Sequence, residues 1–387
     1  MTLESVGSAA ESTIASPIIA KEEEKLYVAS QWQLIRWRFR RHKVAVASIW
    51  VLAFFYLIGI FAEFVAPYDP HNFEARYVLA PPQSIHFVDS EGNFSLRPFI
   101  YDYHQERDPE TLRRIYSEDT SEKHYLHFFV RGDTYKMWGL FETDLHLFGP
   151  GEESDVTMFL LGSDDLGRDM FSRIIYGARV SLSIGLMGVF LSFVLGVLLG
   201  GISGYYGGAV DIVIQRVIEF LRSIPSIPLW MGLAAAVPPD WPPLRTYFMI
   251  TILLSFIGWT GMAREVRGRF LSLREEDFVM AARLIGASEI RIILLHMVPS
   301  FYSHIIAVLT LSVPGMILAE TSLSFLGLGL RPPVISWGVM LKSAQNISSV
   351  ALAPWLLLPV VVVIITILAF NFMGDGLRDA ADPYSKI

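Results

Sequence analysis

The sequence predicts an all-α integral membrane protein of about six transmembrane helices, with a small α+β insert between the first and second. Three observations predict it. Hydrophobic residues make up 52% of the 387 and charged residues only 18%, with a mean hydropathy of +0.43, more apolar surface than a soluble core of this size needs. Uninterrupted apolar stretches approaching the ~20 residues that cross ~30 Å of hydrocarbon recur along the chain. Arginine and lysine gather before the first apolar stretch and between the fourth and fifth, while the short loops on the other side are poor in charge. Helices are the spanning element expected, because an open sheet would leave backbone groups unsatisfied in lipid.

Residues 1–30 carry Glu22, Glu23 and Glu24 and lack the basic start, apolar core and cleavage site of a secretory signal. They read as a polar, disordered tail. From Val28, the residues Trp32, Ile35 and Phe39 recur at helical spacing with arginines between them, which predicts an amphipathic elbow helix lying in the membrane interface, anchored by Trp32 and Trp37. A plain extension of the first span is the alternative. That span is expected over about 44–66, with Glu63 near its far end. The others are expected over about 180–202, up to Val237, over 246–263, 297–318 and 352–373. Pro225, Pro228 and Pro314 are expected to kink the third and fifth.

Between the first two spans lies a segment of mixed charge, 67–178. Alternating runs such as Tyr125-Leu-His-Phe-Phe-Val130 favour strands, and Gly92, Gly132 and Gly149-Pro150-Gly151 supply turns. Orientation follows from the basic residues. Arg36, Arg38, Arg40, Arg41 and Lys43 precede span one, and Arg264, Arg267, Arg269, Arg274, Arg283 and Arg291 separate spans four and five. The positive-inside rule then places both termini and the 264–296 loop in the cytoplasm and 67–178 outside. The domains expected are thus the tail 1–30, elbow and first span 31–66, external segment 67–178, and a helical core 179–383.

Several chemistries are disfavoured. A net charge of −7 with no dominant basic face argues against a nucleic-acid partner. The absence of cysteine removes disulfides, thiolate nucleophiles and Cys-ligated metals. His124 and His127 could meet on a turn, but no third ligand is evident, so no metal site is expected. Gly162-Ser-Asp-Asp-Leu-Gly167-Arg168-Asp169 has the glycine spacing of a phosphate-binding loop. It lacks the lysine, the hydroxyl and the preceding strand, and Asp164 and Asp165 would repel phosphate. The chain is therefore expected to bind no cofactor and to draw energy from a partner.

The 264–296 loop is the most informative segment. Glu275, Glu276 and Asp277 open a short helix, where the macrodipole favours acids. Ala281 and Ala282 give it a small-residue notch, and Gly286, Ala287 and Ser288 suit a helix end and a fresh start. Such a helix–turn–helix fits a groove on another protein; an ordinary amphipathic loop is the bland alternative. Glu320, near the outer end of span five, either lines a pathway or pairs with an arginine of a neighbouring helix. Gln215, Arg216, Glu219 and Arg222 at the start of span three either gate the pore or form a solvated helix start. Gly196, Gly200 and Gly204, spaced by four, allow close helix contact.

Here a resemblance becomes specific. The run Arg36–Arg41, the Gly162–Asp169 segment, and Ser172-Arg173 through Gly177-Ala-Arg-Val-Ser-Leu182 match a known family. So do Gly204-Tyr-Tyr-Gly-Gly208, Ile224-Pro225-Ser226, the loop, and Ala319-Glu320 with Ser322–Gly329. The last match is Gly376–Asp379 with Asp382-Pro383. In order, they cover nearly all of 36–383. The chain resembles the ABC-importer permeases of the dipeptide/oligopeptide/nickel family, the second of their two paired permeases. Asp277-Phe278 stands before Ala281-Ala282 in place of a literal Glu-Ala-Ala, and the insert within 67–160 is longer than in many relatives.

The resemblance implies the type I importer fold and a non-catalytic subunit in a bacterial inner membrane. It implies a paired homologous permease, an external substrate-binding protein, and two ABC ATPase subunits that bind ATP and Mg and dock on Glu275 to Ser288. Oligopeptides are the implied cargo, with oligosaccharides, opines or nickel as alternatives. An intramembrane protease would need facing acids or a Ser/His pair in the spans, and His304 has no obvious partner. A stand-alone channel or secondary transporter would need no docking loop.

Overall fold

A computed structural model describes residues 30–110, 113–151 and 156–381. The expected tail, apart from Ser30, and Asp382 and Pro383 of the closing motif lie outside the described residues. Ser30 opens helix α1 (Gln31–Arg41) with a capping box. Its hydroxyl accepts from the Gln33 N–H while the Gln33 side chain accepts from the Ser30 N–H at 2.9 Å. The helix stops at His42, whose ψ of 84° is not helical, and α2 (Lys43–Ile60) starts afresh. The elbow is a separate element. Ile35 and Phe39 pack on Ala45, Leu377 and Ala380, which leaves Trp32 and Trp37 exposed.

One further turn, α3 (Ala62–Val65), leads to the insert. Its strands β1 (His86–Val88), β2 (Phe94–Arg107), β3 (Arg114–Met137) and β4 (Phe141–Pro150) form one antiparallel sheet in that order. The early part of the 24-residue β3 pairs with β2 and its later part with β4. Phe99, Ile100, Tyr101 and Tyr103 form its buried centre. The expected α+β insert is corrected: its described residues hold only a 3-10 turn, Ala75–Tyr77, beside the strands. Aromatic residues alternating with polar ones fit a half-buried pleated face and give no helical stripe. His124 and His127 stand three apart on β3 and so project to opposite faces.

The core follows. Asp169 accepts from the Phe171 and Ser172 N–H groups and opens α4 (Met170–Tyr206). Then come α5 (Gly208–Ser223), α6 (Ser226–Ala235), α7 (Pro243–Leu273), α8 (Asp277–Leu284) and α9 (Glu289–Arg291). A π turn and a 3-10 turn with Pro299 lead into α10 (Tyr302–Phe325). The described residues end with α11 (Trp337–Leu341), α12 (Ile347–Leu352) and α13 (Leu358–Ala381).

Among the described residues, five helical segments are long and apolar enough to cross a membrane: Lys43–Ile60, Met170–Tyr206, Pro243–Leu273, His304–Phe325 and Pro354–Ala381. The expected third span differs. Pro225 lacks an N–H and pushes Ile224 into an extended conformation (ψ 129°), so that stretch divides into amphipathic α5 and ten-residue α6. At ~1.5 Å per residue, α6 reaches about half the hydrocarbon thickness.

The main core joins Leu52 of α2, Leu182 and Ile184 of α4, Leu254 of α7, Ile317 of α10, Trp337 of α11 and Phe370 of α13. The glycine stripe on α4 sets the α4–α7 separation. A methyl at Gly200 would stand 2.4 Å from the Ala263 carbonyl oxygen, and one at Gly196 2.5 Å from Met262. The helices meet backbone to backbone there.

Candidate functional site

Helix α4 gives the molecule two ends. Its start touches the insert: the Ser172 hydroxyl accepts from the Tyr68 N–H, and the Phe171 ring lies 5.5 Å from that of Phe148 on β4. Its finish, 37 residues and ~55 Å away, touches the other loop: the Tyr206 hydroxyl donates to the Glu289 carboxylate.

At this second end, α7 runs on to Leu273 and the chain turns through Arg274, Glu275 and Glu276 into α8. Glu276 is the extended residue before the helix, and Asp277 sits in its first turn. Ala281 and Ala282 lie at its centre, and its end is a Schellman motif. Gly286 has a φ of +78°, its N–H donates to the Arg283 carbonyl, and the Ala287 N–H donates to the Ala282 carbonyl, both at 3.0 Å. Ser288, extended, precedes α9.

One face of α8 is tied down. Val279 and Ala282 are buried against Val266 and Phe270 of α7 and Ile292 and Met297 beyond α9, with Ala287 packed beside them. The Arg283 guanidinium lies 4.8 Å from the Tyr205 ring centroid. Behind this platform, Arg267 of α7 grips Asp211 of α5 with two hydrogen bonds of 2.5 Å. The opposite face is open and apolar: Leu284 is 88% exposed, Ile285 83% and Ile290 71%. Glu275, Glu276, Asp277 and Glu289 rim it, all exposed. The sequence reading missed these apolar residues and the Asp211–Arg267 clamp. The available signal was three large aliphatic residues bracketing a glycine in an otherwise charged loop.

The expected pathway residues go elsewhere. Glu320 does not line an opening and has no arginine partner; it is fully buried. Hydroxyls of Ser336 (2.7 Å), Ser324 (2.8 Å) and Ser181 (3.4 Å) donate to its carboxylate. Each hydroxyl also accepts a backbone N–H, from Val339, Leu330 and Trp337 respectively. The cluster therefore fastens α4, α10 and α11 together. Arg216 and Glu219 pair with each other at 2.8 Å on the open surface of α5, and Arg222 is exposed beside them. None of the four touches the central cavity of about 270 Å³ between α4, α6, α7 and α10. Ser192, Ser312, Met262, Met316 and Trp230 line that cavity, and the Trp230 indole N–H has no partner in the structure.

The segment that imitates a phosphate loop is filled from within. Asp164 accepts from the backbone of Leu166 and Arg168 and from the Arg168 side chain (2.7 Å), and lies 3.5 Å from Arg173. Its carboxylate occupies the place an anion would take. Among the described residues no group of three His, Asp or Glu side chains could hold a metal ion.

Residues 196–386 match the model of the binding-protein-dependent transport system inner membrane component. Residues 30–82 match the N-terminal transmembrane domain of oligopeptide transport permease C. The chain is 33% identical over 367 residues to the oligopeptide transport system permease of Haemophilus influenzae, covering 94% of this chain and 92% of the relative. It is 41% identical over 224 residues to the dipeptide transport system permease of Bacillus subtilis (57% and 68%). It is 30% identical over 373 residues to the glutathione transport system permease of Shigella dysenteriae (96% and 95%).

Proposed function

We propose a transport cycle from one premise: this chain belongs to the family of binding-protein-dependent transport system inner membrane components, within its dipeptide and oligopeptide permeases. It is a permease subunit of an ABC importer and a membrane-embedded transport component. Our reading of the rest is as follows. The chain pairs with a homologous permease in a bacterial inner membrane, with both termini and the Gly286 end in the cytoplasm. It binds no cofactor. Two ABC ATPase subunits bind ATP and Mg, and one of them receives α8 and α9 in a surface groove. A substrate-binding protein delivers oligopeptides at the insert end.

The observation that carries this reading is the half-anchored, half-open α8–α9 segment. Its inner face is welded to α7 through Val279, Ala282 and the packing around Phe270. Movement of a groove holding Leu284 and Ile285 is then passed to a span without slack. Cargo crosses by alternating access, and ATP drives it only through the different affinities of the two ATPase arrangements for the two permease states. The cavity lined by Ser192, Trp230 and Ser312 contributes this chain's part of the pathway, with the Trp230 indole N–H available to a peptide carbonyl and the Ser192 and Ser312 oxygens, whose protons go to the Ser255 and Val308 carbonyls, available to peptide N–H groups. The peptide cargo is supported by the relatives' substrates, dipeptides, oligopeptides and glutathione.

The test is a double change, Leu284→Asp with Ile285→Asp. ATPase recovered with this chain should fall at least ~10-fold, about 1.4 kcal/mol of binding, while the paired permease is recovered as before. Undiminished ATPase recovery would overturn the docking assignment.

A further inference from the structure

The insert end carries an apolar feature that coupling does not use. The β3–β4 hairpin closes through Met137-Trp138-Gly139-Leu140, with φ of +53° at Trp138 and +74° at Gly139 and the Leu140 N–H donating to the Met137 carbonyl at 2.9 Å. This turn favours Asn or Gly at its first central position, and an indole there is held against its backbone preference. The indole N–H donates to the Ile60 carbonyl at 2.7 Å, and the ring lies 5.6 Å from Phe61. That contact explains only part of the tip. Trp138 remains 48% exposed, Leu140 74% and Phe141 64%, and no charged residue stands between Lys136 and Glu142.

What covers the tip follows from the element it meets. Helix α2 is a membrane span of 18 residues, ~27 Å, and Ile60 is its last residue. Along it Trp50, Phe54, Leu57 and Ile60 are 73%, 57%, 58% and 50% exposed. Spacings of four, three and three put them on one outward stripe. On a span such a stripe faces lipid, and it ends at the carbonyl that Trp138 caps. The hairpin tip continues it at the level where hydrocarbon gives way to headgroups, the depth that suits an indole with one wet and one apolar edge.

We propose that the β3–β4 hairpin tip is a membrane anchor: Trp138, Leu140 and Phe141 enter the interfacial layer of the leaflet at the insert end and seat the sheet on the bilayer beside α2. The anchor fixes the tilt of the insert relative to the spans, which a soluble decoration would leave to its linkers.

The chain has no cysteine, so Leu140→Cys places its only thiol at the tip. A nitroxide there is read in the importer assembled with cysteine-free partner subunits in lipid nanodiscs, by collision with oxygen, which concentrates in the bilayer, and with a water-soluble nickel chelate. The reference is Leu96→Cys on β2, where the leucine is 87% exposed. The oxygen-to-nickel collision ratio should be at least ~10-fold higher at 140 than at 96, and Phe141→Cys should behave as 140 does. Equal ratios would place the tip in water, and a label reached by neither reagent would place it against a protein partner; either overturns the anchor. Adding Trp138→Asn, which suits the turn better, should lower the ratio at 140 at least threefold, and an unchanged ratio would overturn the role of the indole.

Discussion

Glu320 and Ile285 stand at opposite ends of the bundle and at opposite extremes of exposure, 0% and 83%. The acid is sealed in and the aliphatic residue left out, the reverse of what each side chain prefers alone. The Glu320 carboxylate is met within the chain, by three serines that each also take a backbone N–H. Around Ile285 the backbone is equally well satisfied, through Gly286 and Ala287, but the apolar side chains are not. A region that closes on itself builds architecture; one that finishes its backbone and leaves its aliphatic residues bare is the one the proposed docking uses.

The largest effect that could break this comparison is at the closed end. Glu320→Leu removes the common acceptor of three buried hydroxyls and should cost ~3–5 kcal/mol, read as a lower midpoint for thermal unfolding of the purified complex. Glu320→Gln, which keeps one acceptor oxygen, should lose less. Equal stability of Glu320→Leu and the parent would reduce the serine ring to coincidence.

Next is the contact that sets helix spacing. Gly200→Ala inserts a methyl 2.4 Å from the Ala263 carbonyl oxygen and must part α4 from α7, at ~1–3 kcal/mol. The same measurement checks it. At the open end the corresponding glycine behaves differently. A methyl on Gly286 meets nothing within 4 Å, yet φ is +78°, so Gly286→Ala should cost only ~1 kcal/mol, through the backbone alone. Gly286→Asn, which tolerates that conformation, should recover most of it. The thermal midpoint of the purified complex reads this change too. A loss as large as that at Gly200 would show that the turn is packed against something the chain itself supplies.

How much of this was legible follows the same division. The spans other than the third were readable because lipid demands uninterrupted apolar runs, and because Gly196, Gly200 and Gly204 recur on one face. The third failed at Pro225, where apolar composition continues but the helix cannot. Glu320 was misread because what surrounds it comes from Ser181, Ser324 and Ser336; only Ser324 stands at helical spacing from it, while Ser181 lies 139 residues away and Ser336 lies beyond the helix. The α8 backbone was legible in Asp277, Ala281, Ala282 and Gly286, each a local rule. Its exposed apolar face was not: eight residues are too few for a stripe to declare which side the protein keeps, and only Val279 and Ala282 buried in the fold tell Leu284 and Ile285 that they are left out. Trp138 was hidden for another reason, since its turn asks locally for Asn or Gly.

The smallest effect sharpens the comparison from the insert, where a covered acid is satisfied by a cation. The Asp89 carboxylate accepts from the Lys123 ammonium at 2.5 Å and from the Glu91 and Asn93 N–H groups at 3.0 and 2.7 Å. It closes the β1–β2 turn. The ammonium first, then the Asn93 amide, hold its pKa down from 3.8 to about 2. With the folded value below the unfolded one, the group adds stability above about pH 4 and loses that contribution as pH falls toward about 2. Pepsin cleavage beside Phe94, where the turn ends, normalised to an unfolded substrate, should therefore rise between pH 4 and pH 2. Asp89→Asn should be cleaved readily at both values, because the neutral amide holds Lys123 no better than the protonated acid does. Glu320 offers the contrast: its ring of hydroxyls contains no cation to release, so cleavage elsewhere in the chain should not track this window. A uniform rise over the whole chain would mean that the acid transition starts in the bundle and that the turn merely follows.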